Sequence, residues 1–376
     1  MTDVVVLGAG IVGTAVAREL AVRGVAVALL DRGDVAMGTT GLGEGNVLAS
    51  DKDAGPELQL TRAGLDVYAE IEDRMGDAAR IRRKGALVVH PDAATWAAEP
   101  ERIARLGVPA RLVTREELQR LEPELTGAVH GATHVPGDLQ CDPRAIAQAL
   151  AREAAAAGAE VRTGVDVRGV VVEGGRVVGV ETAERRIAAG AVVLAAGPWT
   201  RPLAEAAGVP LPLEPRKGQL VRLRAPRAGF VRHKVLDGSY LAAVREPGAG
   251  LQVSTVVETT WEGDVLVGSS RERRGFDTTV EPDVIDAMIE RAARLFPALR
   301  ALEATASWAG LRPWLPDHLP AIGRAELLPR LWLATGHEGS GVALGPVTGR
   351  LVAQLYCGEA PVVDPAPFAP DRFAAG

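Results

Sequence analysis

Residues 4–13 read Val4-Val5-Val6-Leu7-Gly8-Ala9-Gly10-Ile11-Val12-Gly13, and this stretch decides the fold. The aliphatic run up to Leu7 has no polar alternation, as a strand buried on both faces of a parallel sheet requires. Helical spacing takes over at Val12, Val16 and Leu20. Gly24 then stops the helix, and Val25 to Leu30 forms a second buried strand that finishes at Asp31. The unit is therefore βαβ. Its turn carries G-x-G-x-x-G between strand and helix, and an acidic residue follows eighteen positions after Gly13. Gly8 permits the tight turn, Gly10 lets backbone approach a pyrophosphate, and Gly13 lets helix and strand pack closely, while the helix N-terminus offers partial positive charge. Asp31 is placed to accept hydrogen bonds from ribose hydroxyls. A carboxylate there disfavours a 2′-phosphate, so a dinucleotide other than NADP is expected.

The rest of the composition narrows the class. The chain has 376 residues, 42 basic and 48 acidic, a net charge of −6 and 47% hydrophobic residues, which describes a globular protein with length for about two domains. The acidic balance, with no basic stretch beyond Arg80-Ile81-Arg82-Arg83-Lys84, argues against nucleic acid as a partner. Cys141 and Cys357 lie far apart in no CxxC, which excludes a disulfide framework and a thiolate zinc cluster and points to a reducing compartment. His130 and His134 sit in a Gly- and Pro-rich stretch rather than on a helix, so no metal is expected. No run approaches the ~18 apolar residues of a membrane helix, and a strand starts at Val4 with no basic leader before it, so a cytoplasmic location and no transmembrane segment are expected. The alanine and arginine bias, with four lysines, reads as compositional.

Farther along, Glu57 to Met75 has helical spacing and Gly85 to His90 reads as a strand. Asp142-Pro143 caps and opens an alanine-rich helix ending at Gly158. Strands follow at Glu160 to Arg162, Val167 to Val172 and Val177 to Glu181, the last two joined by a Gly174-Gly175 turn, and the chain returns to the sheet over Ala191 to Gly197. From Lys217 to Ser270 short strands alternate with Gly, Pro and Asp turns, as at Gln219 to Leu223, Tyr240 to Val244 and Val265 to Gly268. A helix opens at Pro282, strands fall at Ser307 to Leu311 and Leu331 to Thr335, and a last helix lies around Pro346 to Tyr356. The expected class is α/β, α+β overall. A Rossmann-like dinucleotide domain (1–80, 141–215 and 305–376) would carry an inserted antiparallel-sheet substrate domain (81–140 and 216–304). Two further small-residue loops, Ala196-Gly197-Pro198-Trp199 and Gly336-His337-Glu338-Gly339-Ser340-Gly341, suit a long cofactor lying extended, FAD rather than NAD. The second loop stands before a helix and could aim amides at the flavin N1/C2 carbonyl.

Taken with Lys217-Gly218-Gln219, Trp308-Ala309-Gly310-Leu311-Arg312-Pro313, Pro316-Asp317-His318-Leu319-Pro320 and Gly345-Pro346-Val347-Thr348-Gly349, these motifs resemble the D-amino-acid oxidase superfamily of FAD-dependent oxidoreductases, which includes glycine oxidase and sarcosine oxidase. The stretches Gly268-Ser269-Ser270-Arg271-Glu272 and Gly275-Phe276-Asp277 look most like beta subunits of D-hydroxyproline dehydrogenase and opine oxidase and a hydrogen cyanide synthase subunit. The resemblance implies a cofactor site built from Gly8, Gly10, Ile11, Val12, Gly13, Asp31, Arg32, Thr39, Thr40, Gly43, Gly45, Asn46, Val167, Ala196, Gly197 and Trp199, and from Arg312, Gly336, His337, Gly339, Ser340 and Gly341 near the ring. It also implies that Arg312 grips the substrate carboxylate, for which a planar, permanently charged guanidinium is suited. Tyr240 would line the pocket or pack in the core. Arg271 would meet a second acidic or polar group, or belong to a solvated charge run. Sarcosine oxidase tethers its flavin through a cysteine where this chain has Trp314 and Leu315, so FAD is expected to be non-covalent, with His318 nearby as a hydrogen-bonding group. The implied reaction is hydride transfer from Cα–H to flavin N5, leaving an imine that hydrolyses. The expected enzyme is a dehydrogenase of a D-amino acid, D-hydroxyproline or opine, working with redox partner subunits. A glycine- or sarcosine-type oxidase, and a non-catalytic flavin electron-transfer subunit, stand as alternatives.

Overall fold

The computed structural model describes residues 2–238, 248 and 250–374. The strand expected from Tyr240 to Val244 lies outside the described residues. β1 (Thr2–Leu7), α1 (Ile11–Ala21) and β2 (Val27–Leu30) form the opening βαβ unit. The parallel core runs Leu331–Thr335, Arg186–Leu194, β1, β2, Glu160–Arg162, with Val4 opposite both Ala191 and Val27. Both faces are covered, which is why the strands read as unbroken apolar runs. Val4 and Val6 enter a core shared with α1, Pro56–Met75, Pro143–Ala156 and Gly341–Cys357, whereas Val5 and Leu7 pack on the far side with Leu211 and Leu213. Asp142 caps Pro143–Ala156 by accepting from the N–H groups of Arg144 and Ala145. Gly174 and Gly175, with φ of 57° and 72°, make the turn joining Val167–Glu173 to Arg176–Thr182.

A second, eight-stranded sheet runs in the order Ala304–Trp314, Glu214–Leu223, Val265–Arg271, Gln252–Thr259, Lys234–Asp237, Ala86–His90, Gly131–Val135, Arg111–Thr114. All its pairings are antiparallel except Lys234–Asp237 with Ala86–His90. Helix Pro282–Ala292 lies on one face through Ile285 and Met288, against Val221, Val257 and Val267. The sequence reading counted residues 305–314 with the dinucleotide part. Ala304–Trp314 instead pairs along its length with Glu214–Leu223, from Glu214 opposite Trp314 to Leu223 opposite Ala304. No described helix is long and apolar enough to cross a membrane.

The last helix begins at Gly341, five residues before the expected Pro346. Proline at this depth lacks the N–H that would bond the carbonyl four residues back, and its ring disfavours the turn. That carbonyl belongs to Val342, and the hydroxyl of fully buried Tyr68 donates to it at 2.7 Å. Burial also pushes the Tyr68 phenol well above its usual range, so it remains a donor. Removing this hydroxyl with Tyr68→Phe is expected to cost about 1–3 kcal/mol in urea unfolding, the price of a buried acceptor left unpaired. In a Pro346→Ala background, where residue 346 regains its N–H, the same substitution should cost less. Equal costs in both backgrounds would show that the hydroxyl does not stand in for the missing amide.

Candidate active site

A groove crosses the carboxyl ends of the parallel strands and continues under the second sheet. Its two halves share Thr39, Leu42, Ala195 and Gly197. The first half is built around the glycine turn. Gly8 has φ of 105°, and a Cβ there would stand 2.4 Å from the Ala195 carbonyl oxygen. A Cβ on Gly13 would stand 1.8 Å from the Gly8 oxygen, and one on Gly10 would press on Thr40 Oγ1 at 3.0 Å. Gly8 and Gly13 hold only glycine because backbone meets backbone there, whereas at Gly10 the neighbour is a side chain. The Ile11 N–H donates to Thr40 Oγ1 at 3.0 Å. Asp31 accepts from Ala9 N at 2.6 Å and from Gly33 N at 2.8 Å, which holds its carboxylate at the groove edge. Val167, Ala196 and Trp199 line the same half. The Arg32 guanidinium lies 4.4 Å over the Trp199 ring, which stacks on Phe276 at 5.7 Å. Phe276 reaches this edge from a loop of the second sheet that fully buried Lys217 ties down through Glu272, Asp277 and Glu281.

The second half lies between residues 39–46, the start of the last helix and the face of the second sheet. Thr39 Oγ1 donates to the Leu311 carbonyl at 2.7 Å and joins the loop to that sheet. Gly45, with φ of 83°, sits where a Cβ would strike the Cys141 carbonyl at 2.0 Å. Gly43 and Asn46 line the cavity, as do Ile11 and Val12, His337, Gly339, Ser340 and Gly341. Burial drives the His337 imidazole down to about 3, so it is neutral, and its Nε2 meets Thr348 Oγ1 at 2.9 Å. Gly336 is not on the cavity wall. It has φ of 83° and packs on Leu315.

Arg312 projects into the cavity over Gly218, where a Cβ would stand 2.0 Å from its Nη1. The same Nη1 donates to the Ser270 carbonyl at 3.1 Å. Beside it Arg216 pairs with Glu338 at 2.5 Å, and His318 Nδ1 meets the other Glu338 oxygen at 3.1 Å. Burial opposes ionisation of Glu338, but the His318 bond and the Arg216 and Arg271 charges outweigh it and hold the carboxyl below its usual range. His318 thus serves Glu338. Arg271 is not in a solvated run: it ends the covered strand Val265–Arg271, Glu272 after it is buried against Lys217, and Arg271 Nη1 donates to Ser254 Oγ at 2.7 Å. Tyr240 lies outside the described residues.

The sequence reading passed over a buried charge cluster at the far end of this half. Glu44 accepts from Lys234 Nζ and, at 2.7 Å, from Asn46 Nδ2, and both Glu44 and Lys234 line the cavity. Lys234 also meets Glu258 at 3.2 Å, and Glu258 meets Lys84 at 2.6 Å and Gln140 at 2.8 Å. Burial lowers the Lys84 amine to about 8 although Glu258 pulls it up. A signal was present in the composition. Of the 42 basic residues four are lysines, and the side chains of Lys52, Lys84, Lys217 and Lys234 are at most 8% exposed. All four lysines are therefore held inside the fold, whereas the arginines include exposed ones such as Arg83, Arg105 and Arg120.

The family model described as FAD dependent oxidoreductase (DAO) matches residues 3–355. The chain is 32% identical to a glycine oxidase of Pseudomonas aeruginosa over 378 aligned positions, covering 98% of each protein. Among solved structures it is similar to the L-proline dehydrogenase of P. horikoshii (TM-score 0.90, 26% identity, covering 100% of this chain and 98% of that one). It is similar also to iminodiacetate oxidase from Chelativorans sp. BNC1 (TM-score 0.84, 26% identity, covering 98% and 99%). The groove fits FAD on its own terms. The glycine cradle leaves backbone open to a pyrophosphate, and Asn46 Oδ1, buried in the second half of the groove, has no hydrogen-bond partner among the described residues. Acid precipitation is expected to leave a colourless pellet and yellow supernatant, since no cysteine stands near Trp314 and Leu315. Asp31→Ala should weaken FAD binding to the apoprotein by about 1–3 kcal/mol, read by fluorescence titration. Unchanged affinity would reject a ribose role for Asp31.

Proposed function

The chain belongs to the FAD-dependent oxidoreductase (DAO) family, and from this premise we propose that it oxidises a small amino acid or secondary amine, with Arg312 as the clamp for the substrate carboxylate. The observation that carries the reading is the setting of Arg312. Its guanidinium lies against glycine backbone on one side and is tied to Ser270 on the other, so a planar fork is held in the cavity before any substrate arrives. Holding the carboxylate there limits where Cα can lie, which is a proximity effect. FAD, when bound, supplies the acceptor for the hydride, which carries the two electrons of the oxidation. We assign its adenosine end to Asp31, Arg32, Val167 and Trp199, its pyrophosphate to the Gly8–Gly13 turn, and its ring to residues 43–46 and 339–341.

The chain's other groups shape the pocket. Glu338 is neutralised by Arg216, so it does not repel an incoming carboxylate. Leu220 and Gly310 offer an apolar, low wall, which keeps water from the reacting carbon and makes each remaining charge count for more. The helix start at Gly341 adds partial positive charge. The two-part organisation is retained in the proposal: residues 1–80, 141–215 and 305–376 for the cofactor, 81–140 and 216–304 for the substrate, with the strand Ala304–Trp314 reaching across to deliver Arg312.

The finer reading is a dehydrogenase of a D-amino acid, D-hydroxyproline or opine that passes electrons to a carrier or partner subunit. Two things support it: the likeness to L-proline dehydrogenase, and buried Arg271 on the strand whose Ser270 carbonyl meets Arg312. A cation there suits a substrate with a second acidic or polar group. The glycine oxidase relative favours a second reading, an oxidase that uses oxygen.

Arg312→Ala is expected to lower kcat/KM by about 2–5 kcal/mol, because a carboxylate would enter a dry pocket unpaired. Arg312→Lys should recover part of this, a point charge lacking the fork. Full activity in the alanine variant would sink the amino-acid reading. The acceptor is settled separately. A phenazine or dichlorophenolindophenol should sustain turnover at least about tenfold faster than air, a barrier difference of roughly 1.4 kcal/mol. Hydrogen peroxide formed in air as fast as dye is reduced would promote the oxidase.

A further inference from the structure

The strand Glu214–Leu223 sets out the cavity wall like a ruler. On its cavity face Arg216 bonds Glu338, Gly218 underlies Arg312, and Leu220 stands next to Gly268. A Cβ on Gly268 would lie 2.5 Å from Leu220 Cδ2 and 2.9 Å from Glu44 Oε1, so the Glu44 carboxylate occupies the step after Arg312. Two residues of strand span about 6.7 Å. An α-amino acid held by its carboxylate at Arg312 therefore has its next polar group, the nitrogen, within reach of Glu44. Leu220 lies beneath the carbon between them.

We propose that Glu44 receives the substrate nitrogen, a reading that rests on the carboxylate clamp at Arg312. Oε2 is occupied by Lys234 and Asn46, which fix the carboxylate and make them positioning residues. Oε1 faces Gly268, a position where any side chain would collide with it. The nitrogen N–H donates to Oε1. As the Cα–H bond breaks, its electron pair would leave with the hydrogen, for which bound FAD would be the acceptor, the lone pair of the neutral amine would form the C=N bond, and positive charge would grow on nitrogen beside the carboxylate. Such charge, met by a group already in place, lowers the barrier without reorganisation. Glu258 and Lys84 keep the cluster balanced: two carboxylates face two amines, so half-buried Glu44 adds no uncompensated charge to the buried Glu258, Lys234 and Lys84. Glu44 is thus a catalytic residue that favours a substrate whose nitrogen carries or develops positive charge.

The test uses the FAD-loaded protein and two probes of the same shape, N,N,N-trimethylglycine and 3,3-dimethylbutyrate, which differ by a cationic nitrogen in place of a carbon. Binding is read from perturbation of the flavin absorption, with no turnover needed. The native protein should prefer the cation by at least about tenfold. Glu44→Gln should abolish that preference by weakening trimethylglycine alone, and Glu44→Asp, which keeps the charge, should retain part of it. Arg312→Ala should weaken both probes alike. A native protein that does not distinguish the probes, one that binds neither included, or a preference that survives Glu44→Gln, overturns the proposal. Failure of the carboxylate reading shows differently, as an Arg312→Ala protein that binds both probes at native strength.

Discussion

Every functional position in this protein is referred to one close approach, the meeting of the backbones at Gly8, Gly13 and Ala195. Gly13 leaves 1.8 Å between its hypothetical Cβ and the Gly8 oxygen, and Gly8 leaves 2.4 Å to the Ala195 oxygen. No side chain fits at either point, so α1 is pressed onto the ends of β1 and of Arg186–Leu194. That contact sets where the groove opens and brings Asp31 to its edge. It also carries Thr40 against the first turn of α1, from which residues 43–46 continue into the ring half. A methyl group at Gly13 would therefore not simply crowd the turn. It would move the helix and, with it, the loop that holds Glu44 and Asn46.

The second sheet answers this fixed edge with a graded one. Its Glu214–Leu223 strand turns Gly218 and Leu220 to the cavity and Arg216 to Glu338 on the same face, while Val221 and Leu223 pack beneath helix Pro282–Ala292. The alternation of a strand thus separates chemistry from core without any change of backbone. Lys217 and Gln219 use the remaining face to hold the loop that brings Phe276 to Trp199: Lys217 bonds Glu281 at 3.2 Å, and Gln219 Oε1 accepts from the Glu281 N–H at 2.8 Å. One strand accordingly reaches both ends of the groove. It lines the second half of the groove directly, through Gly218 and Leu220, and reaches the first half through the loop that carries Phe276.

What was legible in the sequence follows period and punctuation. The opening βαβ unit, the Asp142 cap and the Gly174-Gly175 turn are local devices whose residues sit next to one another in the chain, and each lies where it was read. Long-range pairing is not written that way. Ala304–Trp314 reads as a strand of either sheet, and only its register against Glu214–Leu223 puts Arg312 over Gly218. Pro346 reads as a helix start because a proline normally is one, and the donor that makes it tolerable, Tyr68, lies 274 residues from Val342. Glu44 stands between Gly43 and Gly45, and nothing local says that a carboxylate there is met by Lys234, a residue 190 positions away. The lysine count was in view and was read as bias. Its meaning needed the burial of all four side chains.

That burial carries the last step. Taking an amine out of water costs several kcal/mol, and replacing a buried ion pair by apolar residues is often neutral or stabilising. A cluster of Glu44, Lys234, Glu258 and Lys84 is therefore poor material for a core, and the depressed amine of Lys84 is a direct mark of the cost. Apolar alternatives surround it: Leu48, Val88, Leu236 and Val256 form a small core in the same layer. Charges held where hydrocarbon would serve stability better point to a demand other than folding. The proposed amine site supplies one, because the cluster ends on a carboxylate about one strand step along the cavity wall from Arg312, a spacing that suits a small molecule carrying a carboxylate and an amine.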